Sequence, residues 1–296
     1  MAMKLALFVP STTARIAALL LATPAALFAG PADELPPDKS GYHLFHPTPR
    51  PQMREMSTDR PDQTESPYTV DAGHFQLEMD FVNYTYDRRN TDGVRTEIWN
   101  LAPVNLKVGL LNNVDLQIIL DNYFHTRTKA PATGAVERAA GFGDITARLK
   151  INLWGNDGGP TALAIMPFVK LPLSASNLRN GKTEGGVIIP LAVELPGGWG
   201  MGLMTEVDFV SDGGDGYDAE WINSITFSHD LTEKLAGYVE FFTVTGNAPG
   251  FDWQGQADVG CTYALTGDVQ FDFGCNFGLT KSAPDYQPFV GFTVRF

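Results

Sequence analysis

Phe142-Gly-Asp-Ile-Thr-Ala-Arg-Leu-Lys-Ile-Asn-Leu153 alternates residue by residue. Ile145, Ala147, Leu149, Ile151 and Leu153 share one parity; Asp144, Thr146, Arg148, Lys150 and Asn152 share the other. A period of two is the period of an extended strand, whose successive side chains point to opposite faces. One face of this strand is therefore apolar and the other charged. The pattern recurs at His74-Phe-Gln-Leu-Glu-Met-Asp-Phe81 and at Val269-Gln-Phe-Asp-Phe-Gly-Cys-Asn-Phe277. Working outward from these stretches, the alternation predicts twelve strands, at about 74–86, 96–110, 114–125, 142–153, 161–173, 186–195, 199–210, 220–229, 235–245, 256–265, 269–279 and 288–296. Pro167, Pro172 and Pro190 interrupt two of them, and the alternation is weakest at 220–229.

The connections alternate in length. Short turn-forming stretches such as Leu111-Asn-Asn113, Pro196-Gly-Gly198 and Thr266-Gly-Asp268 take turns with longer ones at about 87–95, 126–141, 174–185, 211–219, 246–255 and 280–287. Outer-membrane barrels have short periplasmic turns and longer external loops, and strands of roughly 9–11 residues suffice to cross. A soluble β-sandwich also alternates, but its turns need not sort by end. Aromatic residues favour the barrel: Trp154 and Trp199 fall at the short-turn side, and Tyr84, Tyr86, Tyr123, Phe124 and Trp221 at the long-loop side. Rings with a polar tip settle at the two membrane–water boundaries. The predicted fold is all-β, a transmembrane antiparallel β-barrel of about twelve strands over 73–296.

Lys4 and Arg15 are the only charges before Asp33, and Ile16 to Ala29 is apolar, with small residues at the exit. This describes a secretory signal peptide over 1–30. Residues 31–72 are rich in Pro, Asp, Thr and Ser and have no sustained period. They are read as an irregular segment that either lies under the barrel in the periplasm or plugs it, with Asp59, Arg60 and Asp62 as its candidate lumen contacts. The 296-residue chain carries a net charge of −13, which disfavours nucleic acid as a partner. The predicted location is the bacterial outer membrane. The predicted partners are its lipid, a small-molecule solute, and the barrel-assembly machinery, which would engage the strand ending in Phe296.

With polar faces inward, the lumen is lined by the acids Glu78, Asp80, Asp115, Asp121, Asp144, Glu194, Glu206, Asp208, Glu240, Asp258 and Asp272, and by the bases Lys107, Arg148, Lys150, Lys170 and Arg295. Unpaired buried charge is costly, so most bases should pair with acids on neighbouring strands: Arg295 with Glu78 or Asp80, and Lys150 and Arg148 with Asp115 or Asp121. The surplus of acids predicts a preference for cations or neutral polar solutes over anions. A twelve-strand lumen lies between the filled interior of eight strands and the open channel of sixteen, so a narrow or plugged pore is expected.

Thr58-Asp-Arg-Pro-Asp-Gln-Thr-Glu-Ser-Pro67 followed by Gly73-His-Phe-Gln-Leu-Glu78 resembles the opening of the outer-membrane family of the MetA-pathway of phenol degradation. Gly141-Phe-Gly-Asp-Ile-Thr-Ala-Arg-Leu-Lys150, Asn152-Leu-Trp154, Lys170-Leu-Pro172 and Gly278-Leu-Thr-Lys-Ser-Ala-Pro-Asp285 are similar to its later blocks. The resemblance spans about Thr58 to Phe296. It implies an outer-membrane barrel that moves small organic, including aromatic, compounds; it brings no catalytic or binding residues.

Cys261 and Cys275 fall symmetrically about Asp268 with outward parity. Pairing 265 with 271 would set them opposite each other, within reach of a cross-strand disulfide. The other reading is two small lipid-facing hydrophobes. No motif for a metal, phosphate or cofactor occurs, and no cofactor is expected. A hydrolase would need a nucleophile beside a base. His125 takes inward parity and His229 outward, and no serine shares a strand face with a histidine at the required spacing, so an enzyme is not expected. A structural or adhesive barrel without transport is the other alternative.

Overall fold

In the computed structural model the described residues are 38–174 and 181–296; the predicted signal peptide lies outside them. Among the described residues, a single 3-10 turn at Arg50–Gln52 precedes fifteen strands. These are β1 (Phe75–Asp87), β2 (Arg95–Leu101), β3 (Val104–Leu111), β4 (Val114–Leu120), β5 (Tyr123–Lys129), β6 (Val136–Gly141), β7 (Ile145–Trp154) and β8 (Thr161–Leu171). They continue as β9 (Glu184–Leu195), β10 (Trp199–Ser211), β11 (Tyr217–Asp230), β12 (Leu235–Gly246), β13 (Gln254–Thr266), β14 (Val269–Gly278) and β15 (Tyr286–Arg295). All pairings between these strands are antiparallel, and β15 closes onto β1 with Gln76 opposite Arg295. Three pairs, β2/β3, β4/β5 and β6/β7, are two halves of one pass, so fifteen strands make a closed barrel of twelve.

Those interruptions differ from the expected pattern, and each has a local cause. Pro103 has no amide to donate, and Ala102 before it takes a positive φ of 54°. Asn122 donates its side-chain amide to Ala102 O, and the Gly143 amide donates to Asp121 O at 2.7 Å, so the three breaks are tied together. Gly143 is required there, because a Cβ would lie 2.8 Å from the Phe124 ring and closer still to Asp121. Beyond the breaks, β1, β2, β5 and β6 continue as a raised sheet, and β6 pairs with β5 alone among the described strands. The expected loop over 126–141 is thus largely a hairpin. The break also resets parity. His125 stands opposite Trp99, whose ring packs at 4.5 Å on Tyr84 on the outer face, so the inward placement of His125 is corrected.

Pro190 leaves a gap in the β8–β9 ladder between Leu163 and Met166 without breaking the strand. Residues 220–229, where alternation was weakest, belong to the longest strand, β11, with fourteen residues. The predicted cysteine pairing is also corrected. The turn at Gly267-Asp268 is two residues long and a bulge follows Ala264, so Ala264 faces Gln270. Cys261 then stands opposite Phe273 and Cys275 opposite Val259, and both are free thiols.

Burial is inverted relative to a soluble domain. Phe75, Phe209, Phe241, Phe271, Phe273 and Phe277 are exposed on the outside, while Asp115, Asp272, Glu78 and Lys107 are buried inside. An apolar exterior around a charged interior is the arrangement of a membrane barrel. Trp154 and Trp199 mark the short-turn rim; Trp99, Tyr84 and Tyr286 form a cluster of tilted rings near the long-loop rim. No described helix is long and apolar enough to cross a membrane, and the strands perform the crossing.

Candidate functional site

Residues 57–69 lie inside the barrel. The segment is polar and carries Pro61 and Pro67, so it can form neither helix nor ladder and must satisfy its groups elsewhere. It folds on itself through the Ser66 amide donating to Asp59 and the Tyr68 amide donating to Ser66 Oγ. Its remaining groups meet the inward rows of the strands. Asp59 accepts from Lys107 of β3 and Lys150 of β7, both at 2.5 Å, and from Gln117 of β4 at 3.1 Å. Arg60 forks onto Asp272 of β14 at 2.6 and 3.2 Å, reaches Asp80 of β1 at 2.5 Å, and lies over the Phe289 ring of β15. The Gln63 amide donates to Glu240 of β12 at 2.8 Å and its side chain to Asp258 of β13. Thr64 donates to Glu240 and meets Ser224 of β11. Glu65 takes the guanidinium of Arg148. One short segment therefore spans the lumen from β1 round to β14.

The wall is shaped for it. Gly291, on the inward row of β15, sits where a Cβ would fall 2.9 Å from the Arg60 guanidinium carbon. Gly260 and Gly274 likewise leave room for Tyr238, whose hydroxyl reaches Pro61 O at 3.5 Å.

These contacts revise the expected charge pairing. Lys150, Arg148 and Lys107 take acids from the inner segment as well as, or instead of, acids on adjacent strands; Glu78 still accepts from Lys107 at 2.5 Å. Arg295 does not meet Glu78 or Asp80. It binds Asp268 at 2.8 Å and Arg54 O at 2.8 Å, and stands 3.8 Å from Asp71. Asp115 accepts the Val70 amide. Asp144 accepts the Ser174 amide, and Lys170 bridges Asp144 and Glu184. Asp121 sits at the wall break, and Glu206 and Asp208 share the inward row of β10. Asp62 lines the two cavities beneath the segment.

Sequence reasoning missed Glu65, Gln63 and Thr64, and it missed a clasp at the short-turn end. There Lys39 and Arg54 bind Asp157 at 2.7 and 2.9 Å, Asn112 donates to the same carboxylate, and Arg50 binds Asp268. Partial burial works against ionisation of Asp157, but bonds from Lys39 and Asn112 and the charge of Arg54 hold its carboxyl below the usual range. The available signal was the density of hydrogen-bonding residues over 58–66, which exceeds what a solvated linker needs.

Cavities lie on both sides of the inner segment. On the long-loop side, about 190 Å³ is enclosed by Asp59, Arg60, Glu65, Asp80, Asn105 and Arg148. On the short-turn side, cavities of about 260 and 270 Å³ share Thr58, Asp62 and Ser228, and a third of about 480 Å³ adjoins the first at Tyr68 and Glu194 and the second at Met56 and Ser57. Their wall is built of small residues, among them Ala192, Gly200, Gly202 and Gly237.

The sequence profile described as "Putative MetA-pathway of phenol degradation" matches residues 58–296. The chain belongs to this family. The match to this phenol-degradation family opens at Thr58, so it takes in the lumenal segment together with the barrel. No curated protein matches the sequence. Among solved structures, an outer membrane channel from Pseudomonas putida F1 superposes with a TM-score of 0.59 at 12% identity, covering 81% of this chain and 100% of that one. That likeness identifies the fold as an outer-membrane barrel. The NanC porin superposes at 0.47 with 8% identity, covering 74% of this chain and 98% of that one; the CymD monoaromatic hydrocarbon channel does so at 0.42 with 11% identity, covering 75% and 88%.

Proposed function

We propose that this family member is a passive outer-membrane conduit for small organic solutes, and that residues 57–69 are its removable plug. The observation that carries the reading is the position of residues 59–65, which stand between the long-loop cavity and the three short-turn cavities. A barrel with no traffic has no need of cavities on both sides of a polar loop, or of a wall of small residues beside it. The family's description ties it to phenol degradation, which fits a small aromatic solute. We read the chain as a conduit rather than a hydrolase; among the described residues, the ring nitrogens of His74 and His229 are engaged with backbone carbonyls. The aromatic last strand is read as the stretch that the barrel-assembly machinery engages.

Arg60→Ala tests the reading. It leaves Asp80 and Asp272 facing each other without their cation, and breaking a buried pair costs about 3–5 kcal/mol. The segment should loosen, conductance in planar bilayers should rise, and liposomes should admit a small phenol faster than with the wild type. A variant that still shows the heat-modifiable gel shift of a folded barrel, yet conducts no better, would support a purely structural barrel.

A further inference from the structure

The lumen is not polar throughout. Midway up the lumen, the inward rows of β8 to β12 carry an apolar cluster: Met166, Ile188, Met204, Phe242 and Val244 are all buried and Ile222 packs beside them, with Glu206 of β10 opposite both Ile188 and Ile222. An apolar wall facing a wet interior is unfavourable. Phe251, which belongs to no strand, packs against this cluster.

The connection from β12 to β13 holds that ring in place. Pro249-Gly250 forms the tip of a turn, with Gly250 at φ +82° and the Phe251 amide donating to Ala248 O at 3.0 Å. Proline followed by a positive-φ glycine is the type II arrangement. Both ends of the connection are tied to neighbours: Asn247 exchanges two bonds with Ala219, and Trp253 O accepts from Ser282. The Phe251 ring packs over Gly246, where a Cβ would fall 2.8 Å from it. Phe251 itself is only half-buried.

We propose that this cradle is a binding subsite for one uncharged aromatic ring, and that Phe251 occupies it as a stand-in which an incoming solute displaces. The dimensions are those of a single phenyl ring because one already fits. The thioethers of Met166 and Met204 adapt to ring edges and tolerate substituents. Glu206 and Asp208, the next inward positions on β10 after Met204, put carboxyl groups beside the cradle, a poor setting for an aromatic carboxylate. This deepens the conduit reading and borrows from it the premise that solutes reach the lumen.

The test is binding to the full-length barrel in lipid nanodiscs, with 4-fluorophenol as the probe and its fluorine resonance as the readout. A site occupied by its own side chain most of the time binds with an affinity reduced by the free fraction, so Phe251→Ala should bind roughly tenfold tighter than the wild type. Phe251→Leu, which keeps an apolar cover, should fall between them. Met204→Asn placed in the Phe251→Ala background should abolish the gain. Equal affinity of Phe251→Ala and wild type would overturn the proposal, as would a gain that survives Met204→Asn. If Phe251→Ala does not fold, Phe251→Leu decides alone: tighter binding supports the subsite, and equal binding overturns it. Because the readout is binding and not conductance, a barrel that never conducts could still show the gain, and the two readings fail separately.

Discussion

Asp272 and Phe273 are adjacent in the chain and live in opposite media. Asp272 is 0% exposed and holds Arg60, while Phe273 is 53% exposed on the outer face at the middle of β14. Their parity alone separates them, and parity was legible. The partner of Asp272 was not, since it comes from 212 residues away. The same holds for Asp59, whose lysines lie 48 and 91 residues downstream. Asp59, Arg60 and Asp62 were recognisable as charges in an irregular stretch, but nothing local indicates which wall residue each one faces. At this scale the lipid reading can be checked directly. Phe273→Arg puts a charge near the bilayer midplane and should destabilise the folded barrel by about 2–4 kcal/mol in urea titrations of vesicle-inserted protein. A neutral effect would mean that this face does not touch lipid.

The strands themselves were readable because each is a local pattern, and their errors are local too. Ala102-Pro103, Asp121-Asn122 and Phe142-Gly-Asp144 each look like minor flaws within a strand or at its end. They act together only because the pairing sets them side by side, turning a presumed loop into the β5–β6 hairpin. The cysteine register failed for a similar reason: a one-residue bulge after Ala264 shifts every pair beyond it. The segment before β1 is an element of a different kind, held by ion pairs at both levels of the lumen. Its short-turn clasp carries a pH dependence of definite sign. Asp157 in the folded protein titrates below its ordinary value of about 3.9, so its contribution is present above that value and lost as pH falls through the lowered one. The docked segment should stay protected from proteolysis between pH 7 and about 5 and become accessible only in stronger acid. Loss of protection already near pH 6 would mean that another group governs the clasp.

For the whole molecule, the decisive quantity is the charge left inside once pairing is complete. The segment brings Asp59, Asp62 and Glu65 with a single base, Arg60, into the part of the lumen it fills, so docking does not reverse the acidic surplus of the wall. A ring of like charge selects by sign. An Arg60→Ala barrel in a planar bilayer under a salt gradient should therefore give a reversal potential on the cation side, and a clear anion preference would refute the acidic-lumen argument. By itself, the sequence determined that the chain alternates, how many times it crosses, and which side of each strand is wet up to the first break, because side-chain direction in an extended chain follows position modulo two. Only the tertiary structure decided which charges meet, where the wall breaks, and that the segment lies inside. Those depend on the height of each residue along the barrel axis, which is set by bulges and closure and leaves no trace in parity.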